Sequence, residues 1–112
     1  MADIQETITS LTQELRRGTL IISVLSQLSE PQYGYSLVAI LEEKGVSIDP
    51  GTLYPLLRRL EKQGLLESSW DTNEARPRKY YVISTAGQEV YEQLCKEWDT
   101  IKNSLEYLIK GG

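Results

Sequence analysis

The sequence predicts a mainly α fold with a small β-hairpin and a long C-terminal helix. Three observations predict it. One short segment carries an apolar helical stripe with start and stop signals at its ends. Two strand-like runs around a polar turn follow it directly. Apolar residues alternate four and three apart through both ends of the chain.

In the first 30 residues Ile4, Ile8, Leu11, Leu15, Gly18, Ile22 and Leu25 share one stripe along a helix. The early part of that stripe has little domain to pack on, so Ile4, Ile8, Leu11 and Leu15 read as an interface between copies of the chain. A second helix opens at Tyr33-Gly34-Tyr35. In the next, Asp49 offers a capping carboxylate, Pro50 suits the first helical position, and Gly64 ends the run. Leu53, Leu56, Leu57 and Leu60 form its core stripe, leaving Gly51, Thr52, Tyr54, Arg58 and Lys62 on the other faces.

Leu65–Asp71 and Lys79–Ile83 then read as strands flanking the polar turn Thr72–Arg78, with Trp70 packing the hairpin against the domain. A helix with an outward polar face, followed at once by a hairpin with basic residues, is the plan of a winged helix-turn-helix. Gly87, Tyr91, Leu94, Trp98, Ile101, Leu105 and Leu108 repeat the four-three spacing after an expected capping box at Thr85 and Gln88. A helix over 86–110 would be roughly 37 Å long at 1.5 Å per residue, more than a small core can cover. The expected division is therefore residues 1–83, a winged helix-turn-helix with its N-terminal helix, and residues 84–112, a C-terminal dimerisation helix. Tyr91, Leu94, Trp98, Ile101, Leu105 and Leu108 complete the predicted interface, and folding of both stripes back onto one protomer is the competing arrangement.

Composition bounds the chemistry. The 112 residues carry a net charge of −4, which opposes DNA binding unless basic groups are concentrated. Residues 49–83 hold six basic and five acidic side chains, the one segment with a net positive charge, by a small excess. Arg76, Arg78 and Lys79 are the main phosphate candidates, joined by Arg58 and Lys62, four apart on one helix face. Arg59 and Glu61 read instead as solvated or ion-paired. Tyr54 stands in the first turns of the reading helix and faces DNA or the core. The chain has no histidine, one cysteine and no glycine-rich phosphate loop, so imidazole catalysis, a one-chain thiolate zinc site and nucleotide chemistry are not expected, and no cofactor is implied. Glu42 and Glu43 read as a solvated helix face. Cys95 beside Lys96 is either a redox-sensitive thiol or a half-buried inert one. A lone cysteine and the lack of a long apolar run or leader pattern predict a cytoplasmic protein with no membrane contact.

The motifs Tyr33-Gly34-Tyr35, Gly51-Thr52-Leu53-Tyr54-Pro55-Leu56-Leu57, Arg59-Leu60-Glu61, Gly64-Leu65, Arg78-Lys79-Tyr80-Tyr81, and Thr85 with Gly87 occur in this order. Together they resemble the PadR family of bacterial transcriptional regulators from about Leu15 to Leu108, with a C-terminal length similar to the short, multidrug-sensing subclass. The resemblance implies a homodimeric regulator, read as a repressor, that binds a palindromic double-stranded operator through the recognition helix and wing. It implies that Tyr33, Tyr35 and Ser36 lie by the DNA backbone, although the two tyrosines equally suit packing at the helix start. For the subclass it implies that Trp98 lines a pore at the dimer centre and stacks on a planar aromatic small molecule. Thr19 and Ser23 would leave room there, and Lys102, where the subclass carries an acid, would disfavour cations. A Trp98 that only fills the interface is the plainer alternative. So is a winged helix that serves as a protein-interaction module without sequence-specific DNA binding.

Overall fold

The computed structural model describes residues 3–73 and 75–111. Glu74, inside the predicted turn, lies outside the described residues. The elements run α1 (Ile4–Arg17), α2 (Leu20–Ser26), β1 (Gln32–Tyr33), α3 (Gly34–Glu43), α4 (Pro50–Lys62), β2 (Leu66–Asp71), β3 (Arg78–Ile83) and α5 (Thr85–Lys110). This is a mainly helical winged-helix fold. Its core is a leucine-rich cluster in which Val24, Leu25 and Leu28 from α2 and its end meet Leu37 and Leu41 of α3 and Leu53, Leu57 and Leu60 of α4. Leu66 and Tyr81 of the hairpin close it from one side.

The N-terminal stripe does not form one unbroken helix. Gly18 and Thr19 keep right-handed helical dihedrals, but the chain turns there and restarts as α2. The Thr19 and Ser23 hydroxyls donate to the carbonyls of Arg16 and Thr19, competing with the ladder at the junction. As a result α2 enters the core while α1 buries no side chain. Asp3 caps α1, accepting from the Gln5 N–H at 3.1 Å.

β1 is absent from the sequence reading. Two residues carry no strand pattern of their own, and this strand exists through pairing: Gln32 with Tyr81 and Tyr33 with Tyr80, giving an antiparallel sheet of order β1-β3-β2. The hairpin pairs in register from Leu66 opposite Ile83 to Asp71 opposite Arg78. Trp70 is corrected by the structure. It lies two residues beyond Ser68, is mostly exposed, and stands under the Lys79 ammonium rather than anchoring the wing to the core.

Two helix ends also differ from expectation. Asp49 occupies the N-cap of α4, but its side chain makes no capping hydrogen bond. Gly64 does supply the stop: its φ of +82° lies in the left-handed region, where a Cβ is costly. The cap of α5 is Ser84, one residue before the expected Thr85. The Ser84 hydroxyl accepts from the Gly87 N–H at 2.9 Å and donates to the Gly64 carbonyl at 2.7 Å. One side chain thus closes α5 and ties it to the end of α4, which Thr85 is not placed to do.

α5 packs its first half on α2, with Tyr91 and Leu94 half-buried, and then runs free. Its 26 residues span roughly 39 Å. The radius of gyration is 16.7 Å, against about 13 Å for a compact chain of this length. Two projecting helices account for the excess.

A Cβ built on Gly87 would sit 2.0 Å from the Leu65 carbonyl oxygen, a backbone atom that cannot step aside. Gly87→Ala is expected to destabilise the protein by about 1–3 kcal/mol in urea unfolding. Gly18→Ala meets nothing within 4 Å and already has a helical φ, so it should be neutral or stabilise by about 0.4–1 kcal/mol. Equal effects of the two would contradict this packing account.

Candidate nucleic-acid interface

Burial of Leu53, Leu57 and Leu60 fixes the rotation of α4, and with it everything the helix shows to solvent. Gly51, Pro55, Arg58, Arg59 and Lys62 are exposed on the side away from the leucines. Pro55 has no N–H, so the Gly51 carbonyl lacks its helical donor on this face. Arg58 and Lys62 stand together as the sequence reading expects.

The flanks of α4 carry different work. On one flank the Tyr54 ring packs over Gly34 at the start of α3. A Cβ on Gly34 would lie 2.3 Å from Tyr54 Cε1 and 2.7 Å from its hydroxyl oxygen. Part of the Tyr54 ring is therefore spent on joining α3 to α4, and 36% of the residue remains exposed. On the other flank Thr52, Leu56 and Arg59 border a shallow groove of about 310 Å³ that Arg17, Leu20 and Ile21 complete. Arg17 is a basic neighbour of α4 that sequence reasoning missed. The adjacent arginines at the end of the first apolar stripe were the available signal.

At the root of the wing the structure brings together residues separated by about forty positions. Tyr33 and Tyr35 stack with ring centroids 5.6 Å apart, and Tyr80 meets Tyr33 edge-on at 5.8 Å. The Arg78 guanidinium lies 5.3 Å from the Tyr35 ring centre and 5.8 Å from that of Tyr33, and donates to the Tyr35 hydroxyl at 2.7 Å. The Tyr33 hydroxyl donates to Asp71 Oδ2 at 2.5 Å. That hydrogen bond, followed by the one from the Asn73 N–H, holds the Asp71 carboxyl below its usual pKa. The tyrosines thus both pack and present polar edges. Ser36, half-buried in the first turn of α3, stands beside them in sequence. Arg76 is exposed on the wing tip.

Strand alternation turns Lys79 the opposite way from Arg78. Its ammonium is 3.1 Å from Glu61 Oε1 on α4 and lies over the rings of Tyr81 and Trp70, at 5.3 and 6.0 Å. The sequence analysis reads Glu61 as solvated or ion-paired, and the structure supplies Lys79 as its partner.

The remaining candidates lie on the projecting helices. Ile4, Ile8, Leu11 and Leu15 are exposed along α1, as are Trp98, Ile101, Leu105 and Leu108 on α5. Lys102 pairs with Asp99 at 3.5 Å, which offsets the charge it was expected to show a ligand. Cys95 is half-buried, one turn from Tyr91. The Tyr91 hydroxyl donates to Cys95 Sγ, and this bond, with burial, pushes the phenol pKa up. Among the described residues no cluster of three or more His, Cys, Asp or Glu side chains is arranged to hold a metal, and no helix is long and apolar enough to cross a membrane.

Residues 21–93 match the transcriptional regulator PadR-like family. A PadR family transcriptional regulator from Eggerthella lenta, known from its crystal structure, superimposes with a TM-score of 0.93 at 44% identity, covering 97% of each chain. A PadR-like transcriptional regulator from Bacillus cereus gives 0.77 at 30% identity, over 88% of this chain and 99% of that one. A transcriptional regulator of Mycobacterium tuberculosis is 34% identical over 77 residues, 68% of this chain and 72% of that protein.

The wing root yields a titration test. The Tyr33 bond is the largest cause of the lowered Asp71 pKa, so Tyr33→Phe should raise that pKa towards the ordinary value. The Asn73 bond should keep part of the lowering. In the unaltered protein the stabilising contribution of Asp71 is fully present above the ordinary carboxylate pKa and is lost as pH falls through the lowered folded one. Carboxyl carbon chemical shifts followed against pH would show this, and an unchanged Asp71 midpoint in Tyr33→Phe would refute the assignment.

Proposed function

Because the chain belongs to the PadR-like family of transcriptional regulators, which are DNA-binding proteins and not enzymes, we propose that it acts as a cytoplasmic, dimeric repressor. It grips a palindromic operator through α4 and the wing, and a small aromatic ligand releases it. The observation that carries DNA binding is the outward face of α4, where Gly51, Arg58 and Lys62 stand clear of the core beside a wing with Arg76 at its tip. Backbone approach at a glycine suits a groove, and the cations suit phosphates. Thr52 and the exposed edge of Tyr54 are the base-reading candidates, and Tyr33, Tyr35, Ser36 and Arg78, around the start of α3, are the candidate backbone contacts.

Dimerisation rests on the two projecting helices. Leu15 is 75% exposed and Leu108 73%, on α1 and on the second half of α5, whose apolar residues stay open to solvent among the described residues. Covering those stripes with a second copy fixes the spacing of two reading heads, and a two-fold protein matches a two-fold site with half-sites about 10 bp apart. Trp98, 40% exposed, sits where the packed half of α5 gives way to the free half. In a dimer with helices paired there, two indoles face a shared space. Thr19 and Ser23 direct their hydroxyls to their own backbone, and Lys102 is offset by Asp99, so a neutral planar aromatic suits the site better than an ion.

Wild-type protein should be a dimer by light scattering and should select palindromic duplexes from a randomised library. Leu105→Asp, which places a charge in the seam, should weaken dimerisation and duplex binding together. A dimer untouched by Leu105→Asp would place the interface elsewhere. Arg76→Ala should weaken all duplexes alike and reduce the salt dependence by about 0.9 log unit per log unit of salt. Thr52→Ala should instead flatten the preference among sequences.

Planar aromatics are expected to quench tryptophan fluorescence, with Trp98→Ala abolishing the response and Trp70→Ala preserving it. The ligand should weaken duplex binding by roughly 1–3 kcal/mol of coupling. Ligand affinity that survives Trp98→Ala would leave Trp98 as an interface anchor alone.

A further inference from the structure

Glu61 grips both strands of the wing from the last turn of α4. Its Oε2 accepts from the Ser68 hydroxyl on β2, and its Oε1 accepts from the Lys79 ammonium on β3 at 3.1 Å. Both carboxylate oxygens are thus committed, one to each strand. An acid in the last turn of a helix is disfavoured by the helix dipole, so its place there is explained by these partners and not by the helix itself.

The pair is about one-third exposed, 29% for Lys79 and 32% for Glu61. Ion pairs this open add little to global stability. What this one supplies is geometry, because a single side chain crosses from the reading helix to the hairpin beside it. The Ser68 bond first and then Lys79 lower the Glu61 pKa, and Glu61 raises that of Lys79, so both groups stay charged through the neutral range. Lys79 is further held over the faces of Tyr81 and Trp70. On the opposite face Tyr33 with Asp71 and Tyr35 with Arg78 hold the hairpin to β1 and α3. The wing is therefore fastened on both sides.

We propose that Glu61 is a positioning residue for DNA recognition: it sets the wing against the recognition helix and withholds Lys79 from the phosphate backbone, which sharpens sequence preference at the expense of indiscriminate affinity. The proposal rests on the DNA-binding reading above. It reassigns Lys79 from phosphate contact to internal partner. Glu61→Gln keeps size and an acceptor for Ser68 but releases the ammonium.

The test uses the full chain, a duplex selected by the wild-type protein from a randomised library, and a scrambled duplex of equal length. Plots of log affinity against log salt should steepen by about 0.9 in Glu61→Gln on both duplexes, as freed Lys79 reaches a phosphate. The preference for the selected duplex should fall several-fold. Lys79→Ala should also lower that preference while leaving the slope at the wild-type value. In Glu61→Gln/Lys79→Ala the slope should return to wild type and the preference should stay low. A slope reduced by about 0.9 in Lys79→Ala would overturn the proposal, since Lys79 would then touch DNA. So would wild-type slope and preference in Glu61→Gln.

A measurement without DNA keeps the two readings apart. Amide hydrogen exchange at residues 68–70 and 79–81 should quicken in Glu61→Gln while α3 is unaffected, and unchanged exchange would overturn the grip on the wing. If the wild-type protein selects no duplex, the DNA-binding reading fails by itself, and exchange on the free protein still decides whether Glu61 holds the hairpin.

Discussion

A single helix has to be both the wall of the core and the outer edge of the molecule, and the burial of Leu53, Leu57 and Leu60 is what lets α4 be both. Three leucines at three- and four-residue spacing allow one rotation of the helix about its axis. With that rotation set, Arg58 and Lys62 can only point outward, Tyr54 can only meet α3, and Glu61 can only meet the hairpin. Gly34 gives α3 the clearance it needs beneath the Tyr54 ring. Polar function on this helix is the complement of its packing.

What was legible in the sequence follows the range of the forces involved. The α4 stripe, the Gly64 stop, the hairpin and the long last helix rest on local periodicity and turn chemistry, and they could be read directly. The missed features depend on partners distant in sequence. β1 needs β3, roughly fifty residues on, to exist at all. Ser84 outcompetes Thr85 because it also reaches the Gly64 carbonyl, a bond that no local capping pattern encodes. Asp49 had the right residue type and position for a cap, yet its carboxylate makes no such bond. For Glu61 the sequence reads as solvated or ion-paired without naming a partner, because Ser68 and Lys79 come to it only when the wing folds back along α4. In the candidate site, the outward residues of α4 were readable, whereas the joining of Tyr33, Tyr35 and Arg78 into one cluster was not.

The wing shows how a net acidic chain can still present a usable basic surface. Alternation along β3 sends Arg78 and Lys79 to opposite faces, and each is met by different chemistry, tyrosine rings on one side and a carboxylate on the other. Counting charges along the sequence treats the two alike. The fold separates them, and the basic character that reaches solvent is narrower and more directional than composition suggests.

α1 is a fourteen-residue helix with a side-chain cap at its start, basic residues at its end, and no buried side chain. Helices of that length are marginal in water when they stand alone, because nucleation is costly and each added residue gains little. Under the proposed dimerisation, a second copy supplies the packing that orders it. On the dimer reading, the helical state of Ile4–Arg17 is governed by mass action: dilution leaves the winged-helix core folded and lets this segment melt. Assembly and local folding are then one equilibrium, and the N-terminus reports the concentration of its own protein.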